Sequence, residues 1–118
     1  MLDNDTAEVI RRFNDAFRFH DPKALEALVA DDCTIENTTP APEGKRESGK
    51  AACLAVWQGL ASAPGTQFEL EEVFVAGPRA LIRWRYRFGP GPADSVRGLN
   101  WMRVRNGQVV EAMGYVKG

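Results

Sequence analysis

Val96-Arg97-Gly98-Leu99-Asn100-Trp101-Met102-Arg103-Val104-Arg105, then Asn106-Gly107, then Gln108-Val109-Val110-Glu111-Ala112-Met113-Gly114-Tyr115-Val116 is the stretch that decides the fold of this chain. Asn-Gly between two β-rich runs is the strongest short-range hairpin signal, because a type I′ turn needs positive φ at both central residues. On the first run Asn100, Met102 and Val104 share one face, and Trp101, Arg103 and Arg105 the other. Met102 and Val104 belong in an apolar interior and the arginines in water, so the pleat carries Asn100 to the apolar side. A short amide aimed into a hydrophobic interior is the first candidate functional group.

Upstream of the hairpin the two-residue period continues. Residues 67–76 read as a strand, Gly77-Pro78 as a turn and residues 79–88 as a second strand. There Ile82, Trp84, Tyr86 and Phe88 alternate with Arg83, Arg85 and Arg87. Gly89-Pro90-Gly91-Pro92 then interrupts the sheet.

Further back the period is helical. Val9, Ile10, Phe13, Ala16 and Phe17 recur at helical spacing behind Asp5-Thr6-Ala7-Glu8, which resembles a capping box. This predicts an amphipathic helix from 6 to about 19, with Arg11, Arg12, Asp15 and Arg18 on its wet face. Asp21-Pro22 predicts a second helix to about residue 29, with Asp as N-cap and Pro at the first helical position. Ser48-Gly49 opens a third, on which Ala52, Cys53, Val56, Trp57 and Leu60 share a side. Between them Cys33-Thr34-Ile35-Glu36-Asn37 reads as a short strand with Cys33, Ile35 and Asn37 on one face. Residues 38–47 read as a loop, a candidate lid. Helices followed by strands give an α+β domain, a curved antiparallel sheet wrapped around three amino-terminal helices, with a cone-shaped cavity between the layers.

The totals bound the function. One domain of 118 residues is large enough for a single core. Its net charge of −1 gives no global attraction to nucleic acid or to an anionic membrane. No apolar run reaches the ~20 residues of a membrane span. The acidic Met1-Leu2-Asp3-Asn4-Asp5 lacks the features of a signal peptide, so the expected location is cytoplasmic. Cys33 and Cys53 fit no metal spacing and read as reduced thiols.

Residues 27–37, Ser48-Gly49-Lys50-Ala51-Ala52, Arg97-Gly98 and the hairpin from Met102 to Glu111 together resemble the nuclear transport factor 2-like (NTF2-like) superfamily. Within it they are similar to the small SnoaL-like and ketosteroid isomerase-like proteins. The resemblance spans nearly the whole chain and implies a cystatin-like cone with a mixed sheet edge. It specifies the fold better than the activity, since the superfamily hosts isomerases, cyclases, epoxide hydrolases, dehydratases and binding proteins. Carried across residue by residue, the isomerase's general-base aspartate falls on Asn37, its oxyanion-hole tyrosine on Phe13 and its protonated aspartate on Asn100. A second pocket tyrosine falls on Trp57. An amide cannot serve as a base and Phe13 donates nothing, so only the donor capacity of Asn100 survives. The epoxide-hydrolase relay has no counterpart on the apolar strand faces. The inward acid expected of a cyclase is absent from the last strand, where Ala112, Gly114 and Val116 face in and Glu111 faces out.

The expectation is a protein that binds a small hydrophobic molecule, and any enzymatic activity would be isomerase-, cyclase- or lyase-like with no metal or organic cofactor. Asn100, Asn37 and Tyr86 are the candidate catalytic groups; the competing reading of the asparagines is as satisfied buried amides. Phe13, Phe17, Ile35, Trp57, Trp84, Phe88 and Met102 are the candidate pocket walls. Glu43 and Glu47 are loop acids within the candidate lid. His20, the only histidine, is expected to cap helix carbonyls or stay solvated. Arg83, Arg85, Arg87, Arg103 and Arg105 form a basic outer stripe, with Glu69, Glu71 and Glu111 as available partners. The resemblance implies a homodimer through this face, with Trp101, Met113 and Tyr115 in it. The alternative function is a non-catalytic binding module or a dimeric interaction module working through that face.

Overall fold

The computed structural model describes residues 3–117, without the side chains of Asp3 and Asn4. Met1 and Leu2, the start of the acidic amino-terminal stretch, lie outside the described residues. Helix α1 (Asp3–Arg18) is followed by strand β1 (Val29–Glu36), the short β2 (Arg46–Ser48) and helix α2 (Lys50–Ser62). Strands β3 (Gln67–Ala76), β4 (Arg79–Arg87), β5 (Ser95–Arg105) and β6 (Gln108–Val116) complete one six-stranded sheet of order β2-β1-β6-β5-β4-β3. All neighbours are antiparallel except β1 and β6, which run parallel, so the sheet is mixed toward one edge. The Asn-Gly turn forms as expected: Asn106 and Gly107 take φ of 52° and 77°.

Two helices, not three, cover the sheet. The predicted second helix is one 3-10 turn, Pro22–Leu25, and Asp21 makes no side-chain cap bond. The chain leaves the helical path because the Val109 amide takes the Leu28 carbonyl at 2.7 Å and Val29 pairs with Val109. A parallel pairing some eighty residues away in sequence thus overrides a local helix signal, and β1 begins four residues earlier than expected. Leu25, Leu28 and Val29 are still buried.

The expected capping box is also replaced. Helix α1 begins two residues before Asp5, and the Thr6 hydroxyl, fully buried, donates to the Gly77 carbonyl at 2.7 Å. This ties the start of the helix to the β3–β4 turn. At the other end His20 adopts φ of 53°; the Asp21 amide donates to the Ala16 carbonyl and the His20 amide to Phe17, a Schellman closure. The His20 Nδ1–H donates to Ala61 at the end of α2 (2.9 Å), so the histidine holds two helix ends together.

One apolar core lies between α1, α2 and the sheet, containing Ile10, Phe13, Leu25, Ile35, Cys53, Ile82, Met102 and Val104 among others. Burying each large side chain of this set contributes roughly 1.5–3 kcal/mol. Glu71 is the extra residue of a bulge in β3, where Leu70 pairs with Trp84 but Glu72 with Arg83. Such bulges bend a strand and here help the sheet curl over the helices. Among the described residues no helix is long and apolar enough to cross a membrane.

Candidate functional site

Between the helices and the concave side of the sheet lies a cavity of about 660 Å³. Aromatic rings build much of its wall. Phe13 meets Trp57 edge-on with ring centres 5.0 Å apart, Phe17 meets Phe68 at 5.4 Å, and Phe68 meets Trp84 at 5.5 Å and Tyr86 at 4.5 Å. Ile35, Ile82 and Ala112 fill the gaps from three strands. Exposed Arg18, Glu69, Leu70 and Val96 form the rim.

The structure brings Asn100, Asn37, Tyr86, Phe13, Phe17, Ile35, Trp57 and Trp84 together around this space. Two expected walls are corrected. Met102 has the right pleat, but its Cα partners Ala80 and Ala112 are small and the side chain is wholly buried in the closed part of the core. Phe88 lies past the end of β4 in the turn to Asp94, half exposed, with its ring 6.2 Å from Tyr86 and outside the cavity. Val116 is likewise exposed and off the wall, whereas Ala112 and Gly114 line it and Glu111 turns outward to Arg79.

Asn100 sits between Ile82 and Gly114 across the ladders. It is diagonal to Trp84, whose Nε1–H donates to the Asn100 Oδ1 at 3.2 Å. Among the described residues no partner takes the Asn100 amide hydrogens. The Asn37 backbone is fixed by the Lys45 carbonyl at 2.9 Å, while its side chain, like the Tyr86 hydroxyl and the Trp57 indole N–H, bonds to none of the described residues. The reading of the asparagines as satisfied buried amides therefore holds only for the Asn100 oxygen.

The expected loop after β1 is a tight return. The Gly44 amide donates to Pro40, Lys45 to Thr39, and the chain re-enters the sheet as β2. Of residues 38–47 only Thr38 lines the cavity, so this segment supplies a wall residue and no cover; Glu43 and Glu47 do not reach it.

Residues passed over in the sequence complete the lining. Asn14, Asp15 and Arg18 of α1 and Glu36, Gln67 and Glu69 of the strands contribute its other polar groups. The helical period places Asp15 and Arg18 on the wet face of α1, and the cavity flares beneath that face, which no local pattern announces. The three carboxylates are committed elsewhere, Asp15 to Arg11 (2.9 Å), Glu36 to Arg46 (3.1 Å) and Glu69 to Arg87. No group of three or more metal-ligating side chains occurs among the described residues.

On the opposite sheet face the basic stripe is largely paired. Glu71 takes Arg97 through a two-pronged bond (3.0 and 2.9 Å) and lies 3.3 Å from Arg83 and 3.9 Å from Arg85. The Arg97 bond first, and the neighbouring arginine charges, hold the Glu71 carboxyl below its usual range. Arg105 pairs with Asp32 at 2.7 Å. An apolar row, Phe74–Leu81–Trp101–Met113, crosses four strands between these charges.

The chain matches the SnoaL-like domain over residues 10–112. It is 59% identical to an NTF2-like protein of unknown function from Mesorhizobium loti, over 98% of this chain and 93% of that one, with a TM-score of 0.94. A candidate polyketide cyclase from Sinorhizobium meliloti is 25% identical over 91% and 93%, with a TM-score of 0.73. A candidate ketosteroid isomerase from Kribbella flavida is 19% identical over 98% and 79%, with a TM-score of 0.80, a likeness of fold alone. No curated protein matches the chain. With the cone, its mixed edge and this match over most of its length, the chain belongs to the SnoaL-like family of the NTF2-like superfamily.

Proposed function

We propose that this SnoaL-like protein binds a small, mostly hydrophobic molecule in the cavity, oriented by hydrogen bonds from Asn100 and Asn37. The observation that carries this reading is an amide with unspent donors among the aromatic and aliphatic side chains that build much of the wall. A mostly apolar molecule with one polar group would cover the aromatic part of this wall and pair with the amide. Trp57 offers a further donor. The neighbours named for isomerase and cyclase chemistry make a carbonyl-bearing molecule the natural class.

Turnover, where it occurs, would proceed by orientation and by polarising a carbonyl against the Asn100 amide. Tyr86 is the one hydroxyl among the aromatic walls and the candidate proton carrier. The test is a thermal-shift and native mass-spectrometry screen with steroids, polyketide fragments, terpenoids and aromatic lactones, repeated on Asn100→Ala. A hit should raise the melting temperature by mass action and lose most of that rise in the variant. A robust hit indifferent to both Asn100→Ala and Asn37→Ala would overturn the polar anchor.

A second reading concerns assembly. The Phe74–Leu81–Trp101–Met113 row, with exposed Tyr115 beside it, favours a homodimer through the outer sheet face.

A further inference from the structure

We propose that Asn100 presents its amide hydrogens to the cavity, and that Trp84 fixes this orientation. The cavity would then select molecules whose buried polar atom is a bare acceptor, such as a ketone, ester or lactone oxygen, over molecules presenting an N–H. This inference rests on the reading of the cavity as a ligand site.

An asparagine amide carries an acceptor oxygen and a two-hydrogen donor nitrogen on opposite sides of one carbon, and the two ends exchange by a flip. An indole N–H can only donate. The 3.2 Å contact from Trp84 Nε1 to Asn100 therefore requires the oxygen at that end, whatever else surrounds the residue. Flipping the amide would set two donors against each other, losing the bond to the largely buried indole N–H. The nitrogen is thus held away from Trp84, with no described partner, on a residue that lines the cavity.

The lock is itself held. Trp84 is only 8% exposed and its ring is braced edge-on by Phe68. Opposite it on β5 stands Gly98, whose missing side chain leaves the space the indole fills. Asn37 and Tyr86 have no such constraint and can donate or accept, so discrimination falls to Asn100.

Three nearly isosteric probes separate the possibilities: fluorenone presents an acceptor, carbazole a donor, fluorene neither. Calorimetric titration of the wild-type protein should show fluorenone bound about tenfold more tightly than carbazole. Trp84→Phe keeps an aromatic ring but frees the amide to turn. Carbazole should then gain affinity, the fluorenone-to-carbazole ratio should fall to within about twofold, and fluorene should change little. A gain for one ligand on losing a side chain is not what a merely structural role produces. Should Trp84→Phe fail to fold, Asn100→Leu tests the donor half of the proposal, because it should erase the preference by weakening fluorenone alone.

Equal binding of fluorenone and carbazole by the wild type would overturn the proposal while leaving the cavity reading intact. So would an unchanged ratio in Trp84→Phe. Failure of all three probes to bind would instead remove the cavity reading, and this inference with it.

Discussion

Trp84 and Gly98 face each other across β4 and β5, and the indole occupies the volume a side chain at 98 would need. A Cβ there would stand 2.6 Å from the Trp84 Cη2 and 2.4 Å from the Tyr115 carbonyl oxygen. The carbonyl belongs to a paired strand and cannot withdraw cheaply. Gly98→Ala should therefore destabilise the fold by about 2–3 kcal/mol, read from the urea midpoint. Because the indole must shift, its bond to Asn100 should weaken as well, and near-ultraviolet circular dichroism should lose intensity before the far-ultraviolet signal does. An unchanged midpoint would refute the packing argument.

Gly44 plays a comparable part for the second asparagine. It takes φ of 76°, and a Cβ on it would lie 1.7 Å from the Asn37 carbonyl oxygen. Gly65 takes a similar φ of 73° with nothing within 4 Å, which makes it the control. Gly65→Ala should cost about 1 kcal/mol of backbone strain and leave ligand binding alone. Gly44→Ala should cost more and weaken any ligand that uses Asn37, since the loop return that positions this residue must open. Equal losses of stability and of binding in the two variants would contradict this account.

Local signals made most of the fold legible. Asn106-Gly107 marks the hairpin, and the alternation of Ile82, Trp84 and Tyr86 with arginines marks β4, because each signal needs only neighbours in sequence. The predicted second helix failed for the opposite reason: the Val29–Val109 pairing joins distant segments. The site was half legible. Pleat gives Asn100 and Met102 the same direction, but whether a side chain meets cavity or closed core depends on the helix layer above it. The Trp84–Asn100 bond depends on the β4–β5 register, which the turn through residues 88–94 sets and no motif announces.

The two thiols make a prediction about pH. Cys33 and Cys53 are fully buried, and the Cys53 thiol donates weakly to the Cys33 carbonyl at 3.4 Å. Burial is the leading cause raising both thiol pKa values, and the neighbouring Cys53 raises that of Cys33 further. The folded state therefore keeps protons that the unfolded chain releases, and stability falls as pH rises past the unfolded thiol value of about 8.5. For Cys33 alone the loss should approach roughly 1 kcal/mol for each pH unit beyond it. Urea midpoints at pH 7 and 9.5 should diverge in the wild type and converge in a Cys33→Ala/Cys53→Ala double variant. Iodoacetamide should label the native protein only as fast as it opens; rapid labelling at pH 8 would show that the thiols are not enclosed as described.

The outer sheet gives the remaining prediction. Phe74 is 64% exposed, Trp101 39% and Tyr115 58%, in an apolar band that ion pairs such as Glu71–Arg97 and Arg79–Glu111 border. The Arg79 guanidinium lies 5.2 Å from the Trp101 ring centre, so charge borders the rings closely, as it would around the apolar centre of an interface. Two copies meeting face to face would cover these rings, as a two-fold dimer requires of one self-complementary patch. Sedimentation velocity should then give a mass of two chains for the wild type. Trp101→Glu should give one, because a carboxylate beside its own symmetry mate would be desolvated and repelled, while the outward position spares the core. A wild-type protein that sediments as one chain at micromolar concentration would refute the dimer, and the exposed rings would then need a different partner to explain them.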